Sequence, residues 1–153
     1  MQLTAQFVHG PDPDHSGWHA WGQSDEARFN TVGLGRMVIR HGGERSVRRR
    51  RLQTDARHSH IRDNLHGGNT PALIDVAMFA TIHVVLGTDA AGSETFDLHN
   101  QFIGSGRIDR PLHAVSEFTK ETGRFVFLRG SAKQDGALVS SFISTLHKPS
   151  TPQ

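Results

Sequence analysis

The stretch Pro71-Ala72-Leu73-Ile74-Asp75-Val76-Ala77-Met78-Phe79-Ala80-Thr81-Ile82-His83-Val84-Val85-Leu86-Gly87 decides the fold. It is too long for one strand and apolar on almost every side, which marks a helix buried all round. Pro71 fits the first turn, where a missing N–H costs nothing. Gly87 fits the position just past the end, where the backbone turns left-handed. One carboxylate, Asp75, interrupts the apolar run. Helix position alone would place Ala or Leu there, and a carboxylate in apolar surroundings loses its hydration unless it is partnered or used. Burial raises a carboxyl pKa toward the range of a general base or nucleophile. A structural carboxylate satisfied by backbone N–H groups is the competing reading.

Outward from this helix the period changes from 3.6 to 2. On the N-terminal side, residues 36–40 and 45–53 read as two strands joined by a Gly42-Gly43 turn. On the C-terminal side Phe96, Leu98, Asn100 and Phe102 alternate with Asp97, His99 and Gln101. Leu112, Ala114, Ser116 and Phe118 make a second run, and residues 120–124 turn into a third over 125–134. Asp135-Gly136 is a strong hairpin signal, and Leu138, Ser140, Phe142, Ser144 and Leu146 close an antiparallel meander. The expected class is α+β, an antiparallel sheet wrapped around one long buried helix.

Residues 10–22, dense in Pro, Asp and Gly, read as a lead-in arm whose Trp18 and Trp21 pack back on the domain or on a neighbouring subunit. A short helical turn is expected over 24–29. Gly33-Leu34-Gly35 and Gly104-Ser105-Gly106 lack the strand and helix context of a dinucleotide fingerprint and read as turns. The chain thus divides into an arm over 1–30, one domain over 31–148 and a disordered tail over 149–153.

Composition narrows the chemistry. At 153 residues the chain has one domain's worth of polypeptide. With Cys and Tyr both 0, disulfides, zinc–thiolate sites, thiol nucleophiles and phenolic acids are excluded. Lys plus Arg is 17 against 15 for Asp plus Glu. That balance is too mild to point to nucleic acid, and Arg48-Arg49-Arg50-Arg51 reads as a solvated strand face. No apolar run reaches the ~20 residues of a membrane span, and the N-terminus lacks the pattern of a secretory signal, so a cytoplasmic location is expected. Among 11 histidines, His58, His60 and His66 lie close in sequence, but no metal-ligand motif accompanies them, and no metal is expected. His83, on the helix, reads as a hydrogen-bonded core histidine. There is no GxSxG nucleophile elbow.

The second informative feature is His66-Gly67-Gly68, directly ahead of the helix. Two glycines leave backbone N–H groups open, and the first N–H groups of a helix have no intrahelical acceptor. Such a site can stabilise the oxyanion formed when a thioester is attacked. Together, 66–77 (HGGNTPALIDVA) and 95–102 (TFDLHNQF) resemble the hotdog-fold acyl-CoA thioesterases of the PaaI-like, 4-hydroxybenzoyl-CoA thioesterase superfamily. The resemblance spans roughly residues 36–148 and includes the Asp nine positions after the His and the Thr122-Gly123-Arg124 turn.

The resemblance implies a hotdog fold and hydrolysis of an acyl-CoA or aryl-CoA thioester. It implies Asp75 as general base or nucleophile, the Gly67 N–H as oxyanion donor, and Thr95 holding the water or the carboxylate. His66 and Gly68 complete the loop. It also implies a homodimer, or a dimer of dimers forming a homotetramer, with the loop and the Asp of one site supplied by different chains. No cofactor is implied, since coenzyme A belongs to the substrate. The family has an Asn six positions before the His of the loop. Here that position is His60, and a neutral imidazole can donate one hydrogen bond where the amide did. Arg107, Arg110 and Arg124 are candidates for the CoA phosphates, which suit bidentate guanidinium pairing. The alternative is a hotdog module that binds acyl-CoA without turnover. Neither nucleic acid nor membrane is an expected partner.

Overall fold

The computed structural model describes residues 7–25, 27–51, 54–87 and 92–149. Its strands are β1 (Phe7–Pro11), β2 (His19–Gln23), β3 (Met37–Gly43), β4 (Ser46–Arg51), β5 (Glu94–Phe102), β6 (Leu112–Glu121), β7 (Phe125–Gln134) and β8 (Ala137–His147). Two helices, α1 (Phe29–Leu34) and α2 (Asn69–Leu86), and a 3-10 turn at Ala56–His58 complete the order. All strands join one antiparallel sheet in the order β1-β2-β3-β4-β6-β7-β8-β5, and α2 lies across its inner face. This is the expected α+β architecture, a sheet around one long helix.

The period-2 pattern explains which face is inner. Leu112, Ala114, Ser116 and Phe118 of β6, Val126, Leu128 and Ala132 of β7, and Phe142, Ser144 and Leu146 of β8 are buried. Leu73, Ile74, Ala77 and Met78 of α2 pack on them in one cluster. Each Leu or Ile so enclosed contributes ~1.5–3 kcal/mol. Gly130 sits where any side chain would run into the Val115 carbonyl oxygen and the Phe142 ring, so only glycine lets β7 pass. Asp135 and Gly136 both take positive φ, 50° and 80°, as a two-residue primed hairpin turn needs. Gly87 ends α2 at φ 62°.

Several expectations are corrected. The arm expected over 10–22 is integrated into the sheet, in a hairpin over 7–23: β1 pairs with β2, and β2 pairs with β3 at His19↔Ile39 and Ala20↔Val38. Trp18 and Trp21 are buried; Trp21 joins Ile39, Val47 and Ala80 in a second cluster, and Arg40 stacks over Trp18. The helix expected over 24–29 begins only at Phe29. Asp25 Oδ1 accepts from the Ala27 N–H, and its carbonyl from the Arg28 N–H and the Thr31 hydroxyl, so this segment is a turn ahead of the helix rather than part of it. Gly33 and Leu34, read as a turn, lie inside α1 because Leu34 is drawn into the core.

The four C-terminal strands are not a simple meander. β5 lies outside β8, at the edge, and the long connection over 103–111 returns the chain to β6 on the other side of β7 and β8. Nor is α2 buried all round. Ala72, Asp75, Phe79, His83 and Leu86, spaced by three and four, form a half-buried stripe. The expected strand end at Leu52-Gln53, the start of the arm at 1–6 and the tail at 150–153 lie outside the described residues, as do the side chains of Arg48 to Arg51.

Candidate active site

The loop before α2 is tied on both sides. Leu65 N–H donates to the Gly106 carbonyl and His66 N–H to that of His58, both at 2.8 Å. Asn69 Nδ2 also reaches the His58 carbonyl, at 3.2 Å. The two glycines then separate in role. Gly68 N–H donates to His66 Nδ1 at 3.0 Å, so the His66 ring consumes that amide. Among the described residues the Gly67 N–H has no acceptor, and Gly67 is exposed. The open amide of the pair is Gly67. A Cβ on it would stand 3.8 Å from Phe102 Cζ, so the ring at the end of β5 walls this position.

Asp75 lies eight residues farther along, on the half-buried stripe of α2. Thr95 Oγ1 donates to its Oδ1 at 2.5 Å, a short hydrogen bond of the charge-assisted kind. A bulge makes this contact possible. Thr95 pairs with Leu146 and Asp97 with Thr145, so Phe96 is the extra residue between them. A regular strand would turn Thr95 outward if Leu98 faced the core. With one residue inserted, both face inward. Phe96 is correspondingly displaced to the outer face, where its ring lies 5.5 Å from that of Phe125, a correction to its place in the alternating apolar run. Asp97 fixes the bulge: its Oδ1 accepts from Thr145 N–H at 3.0 Å, and its carbonyl from Ser144 Oγ at 2.5 Å.

The remaining expected site residues do not converge on this pair. His60 opens a tight loop closed by its own N–H to the Asn64 carbonyl, with Asp63 at φ 58°. Its Nδ1 accepts from Arg62 N–H at 2.9 Å, leaving Nε2 as the donor of the neutral ring. Among the described residues no hydrogen bond joins it to Gly67, Asp75 or Thr95. Arg107 and Arg110 lie on the 103–111 connection, which touches the loop through Asn64↔Arg107. Both are already ion-paired, Arg107 bidentately with Asp109 at 2.7 and 2.9 Å, and Arg110 with Asp135. Arg107 holds the Asp109 carboxyl below its usual range. Arg124 lies at the opposite end of the sheet, in the turn before β7. The three arginines therefore form no single phosphate cradle in one chain.

Other histidines have local partners. His58 is fully enclosed, with its Nδ1 accepting from the Asp55 N–H. His83 is half-buried and stacks on rings, 4.8 Å from Trp21 and 5.4 Å from His9, rather than sitting hydrogen-bonded in the core. No group of three or more possible metal ligands occurs among the described residues.

Two residues here were not singled out from the sequence. Phe102 walls Gly67, and Asn100 faces inward opposite the buried Phe142. Asn100 was visible as the one amide in an alternating apolar series.

No protein-family model and no curated protein matches the chain. Solved structures do. Zebra fish thioesterase superfamily member 2 is 18% identical with a TM-score of 0.69, over 81% of this chain and 88% of that one. The E. coli PaaI protein from the phenylacetic acid degradation operon is 16% identical, with a TM-score of 0.67, over 82% and 87%. A hypothetical thioesterase from Streptococcus pneumoniae TIGR4, solved with coenzyme A, is 17% identical, with a TM-score of 0.63, over 74% and 91%. At this identity the likeness establishes the architecture: the chain has the hotdog fold of the PaaI-like thioesterase-superfamily proteins.

Proposed function

We propose that the chain hydrolyses acyl-CoA thioesters at a site completed by a second copy of itself. The observation that supports this most directly is the Thr95–Asp75 hydrogen bond across a bulge, since it fixes one oxygen of a half-buried carboxylate and, among the described residues, leaves the other without a protein partner for a water or a thioester carbon to meet. An open Gly67 amide in the loop just ahead of the same helix supplies the second component. Asp75 lies six residues into the helix from Asn69, ~9 Å along its axis at 1.5 Å rise per residue, so with the loop added one chain's Gly67 and Asp75 stand too far apart to act on one carbonyl. A second copy brings its own Gly67 to this Asp75. The exposed edge strand β5, with Phe96 and the following Ile103 uncovered, is where that copy joins.

In this reading Asp75 takes the proton of a water that attacks the thioester carbon, or itself attacks as nucleophile. The carbonyl oxygen becomes an oxyanion facing the partner copy's Gly67 N–H, a contact of the kind worth ~2.7–4 kcal/mol. On the base route the C–S bond then breaks and the thiolate leaves with the proton that Asp75 took from the water. On the nucleophile route the C–S bond breaks to release the thiolate and leave a mixed anhydride on Asp75, which a water hydrolyses to the free acid, restoring the carboxylate and supplying the thiolate's proton. Water, substrate and these residues suffice, so no resident cofactor is needed. Arg107, beside the loop, and Arg110 exchange their carboxylate partners for CoA phosphates as substrate binds, and Arg124 serves at the other end of the sheet.

Release of CoA thiol, followed with a thiol reagent, tests the proposal cleanly because the chain has Cys 0. Turnover lost in Asp75→Ala is the expected result, and an Asp75→Ala variant as fast as the parent overturns it. The second reading, a module that binds acyl-CoA without turnover, is favoured by His60, whose Nδ1 is occupied by its own loop. That reading predicts no thiol release but a melting temperature raised by acyl-CoA.

A further inference from the structure

Among the described residues Asn100 is the side chain with two buried polar atoms left without partners, where Ser116 and Ser140 leave a hydroxyl each. It stands on the inner face of β5, opposite Phe142, where the flanking inward positions are Leu98 and Phe102. Both its amide atoms, Nδ2 and Oδ1, are closed off from water, and among the described residues neither has a hydrogen-bond partner. An amide has two donors and two acceptor positions to satisfy, and buried groups left without any are rare and call for a cause. A valine or leucine would fit the strand pattern without that penalty.

Its location narrows the cause. On the same face, Thr95 lies at Asp75 and Phe102 lies against Gly67. Asn100 is between them, two residues from Phe102, which is about 7 Å along a strand. The inner face of β5 is also loosely closed: Leu98 is only half-buried and Phe102 is 57% exposed, whereas the inner face of β6 is sealed from Leu112 to Phe118. The half-open inner face of β5, beside Gly67, is therefore the face along which an acyl group held at Gly67 would extend.

We propose that Asn100 reads the acyl group, its amide hydrogen-bonding a hydroxyl or oxo substituent in the first few carbons beyond the thioester carbonyl. This rests on the thioesterase reading and specifies its substrate class as polar-substituted acyl-CoA rather than plain fatty acyl-CoA. Leu98 and Phe102 shift to admit the chain. The substituent then meets an amide that no protein group satisfies among the described residues, and an unsubstituted chain leaves that amide unpaired. A site built to bond a substrate hydroxyl discriminates strongly against the analogue lacking it.

The test compares 3-hydroxyhexanoyl-CoA with hexanoyl-CoA on the parent, Asn100→Leu and Asn100→Val. The parent is expected to favour the hydroxylated substrate by roughly tenfold or more in kcat/KM, and both variants to bring that ratio near one. A parent ratio near one, or a ratio unchanged in both variants, overturns the assignment and leaves the thioesterase reading standing. A Tm raised in Asn100→Leu with selectivity unchanged would make the amide a structural group only and overturns it equally. Non-hydrolysable thioether analogues of the two substrates give the same ratio as Kd values. Loss of selectivity there, without turnover in any protein, would keep Asn100 and reject hydrolysis. Failure of every analogue to bind rejects both.

Discussion

The two flanks of the same sheet are built to different rules. Over β6, β7 and β8 the alternation is clean, the inner residues are sealed, and α2 lays Leu73, Ile74, Ala77 and Met78 onto them. Over β5 the alternation is broken by a bulge, the inner face is half-open, and it carries Thr95 and an unpaired Asn100. Both flanks touch the same helix. The closed flank supplies the stability that lets the open flank hold a short carboxylate contact and an idle amide, so changes on the two should have effects of different kinds.

The largest expected effect is on chemistry. Asp75→Ala should lower kcat by roughly 10²–10⁴, the usual contribution of a positioned base, with little change in unfolding by urea. A large loss of stability with turnover intact would place Asp75 among the structural residues and erase the distinction between the flanks. Next comes the closed flank. Leu73 is wholly enclosed, and Leu73→Ala should cost about 2–5 kcal/mol of stability. Leu98→Ala, on half-open β5, should cost less than half of that. Equal costs in chemical denaturation would show that β5 is packed as tightly as the rest.

A smaller effect separates orientation from chemistry. Thr95→Ala removes the hydroxyl that donates to Asp75, and a hydrogen bond to a charged group is worth about 1.5–3 kcal/mol. Turnover should fall about tenfold to a hundredfold, and Thr95→Ser, which keeps the donor, should restore most of it. If Ser rescues nothing, the methyl group and not the hydroxyl matters at this position.

How much of this was legible follows the same division. The closed flank could be read because its signals are local: period-2 burial, Asp135-Gly136, and an apolar run bounded by Pro71 and Gly87. The bulge could not, because Phe96 matches Leu98 and Phe102 in pattern and only the hydrogen bonds of Asp97 to β8 eject it. The place of β5 outside β8 was hidden too, since a strand pattern does not say which neighbour the strand takes. At the site, Asp75 stood out by its cost in an apolar helix and Gly67 by its lack of a side chain. That His66 consumes the Gly68 amide, and that Arg107 and Arg110 are already paired, depends on three-dimensional neighbours such as Asp135 that sequence distance conceals.

The smallest expected effect concerns a third region, the β1–β2 hairpin, where polar aromatic rings take the place of aliphatic packing. His9 lies 5.3 Å from His19, 5.4 Å from His83 and 5.5 Å from Trp21 by ring centroids. Burial, then the neighbouring His83 and His19, lower the His9 pKa below the ordinary 6.5. The folded state therefore favours the neutral ring, while the unfolded chain takes up a proton as soon as the pH falls through 6.5. Between that value and the lower folded pKa the unfolded state binds more protons, so stability rises with pH across this window and is lost as the solution is acidified through it. Because β2 is held to β3 at only His19↔Ile39 and Ala20↔Val38, the loss should appear first as lower amide-exchange protection factors, taken against the intrinsic rate at each pH, in β1 and β2, ahead of α2 and β6 to β8. Measured at pH 7.5 and 5.5, that difference should shrink in His9→Gln, which cannot take up the proton. An unchanged difference would mean that another titrating group governs the hairpin.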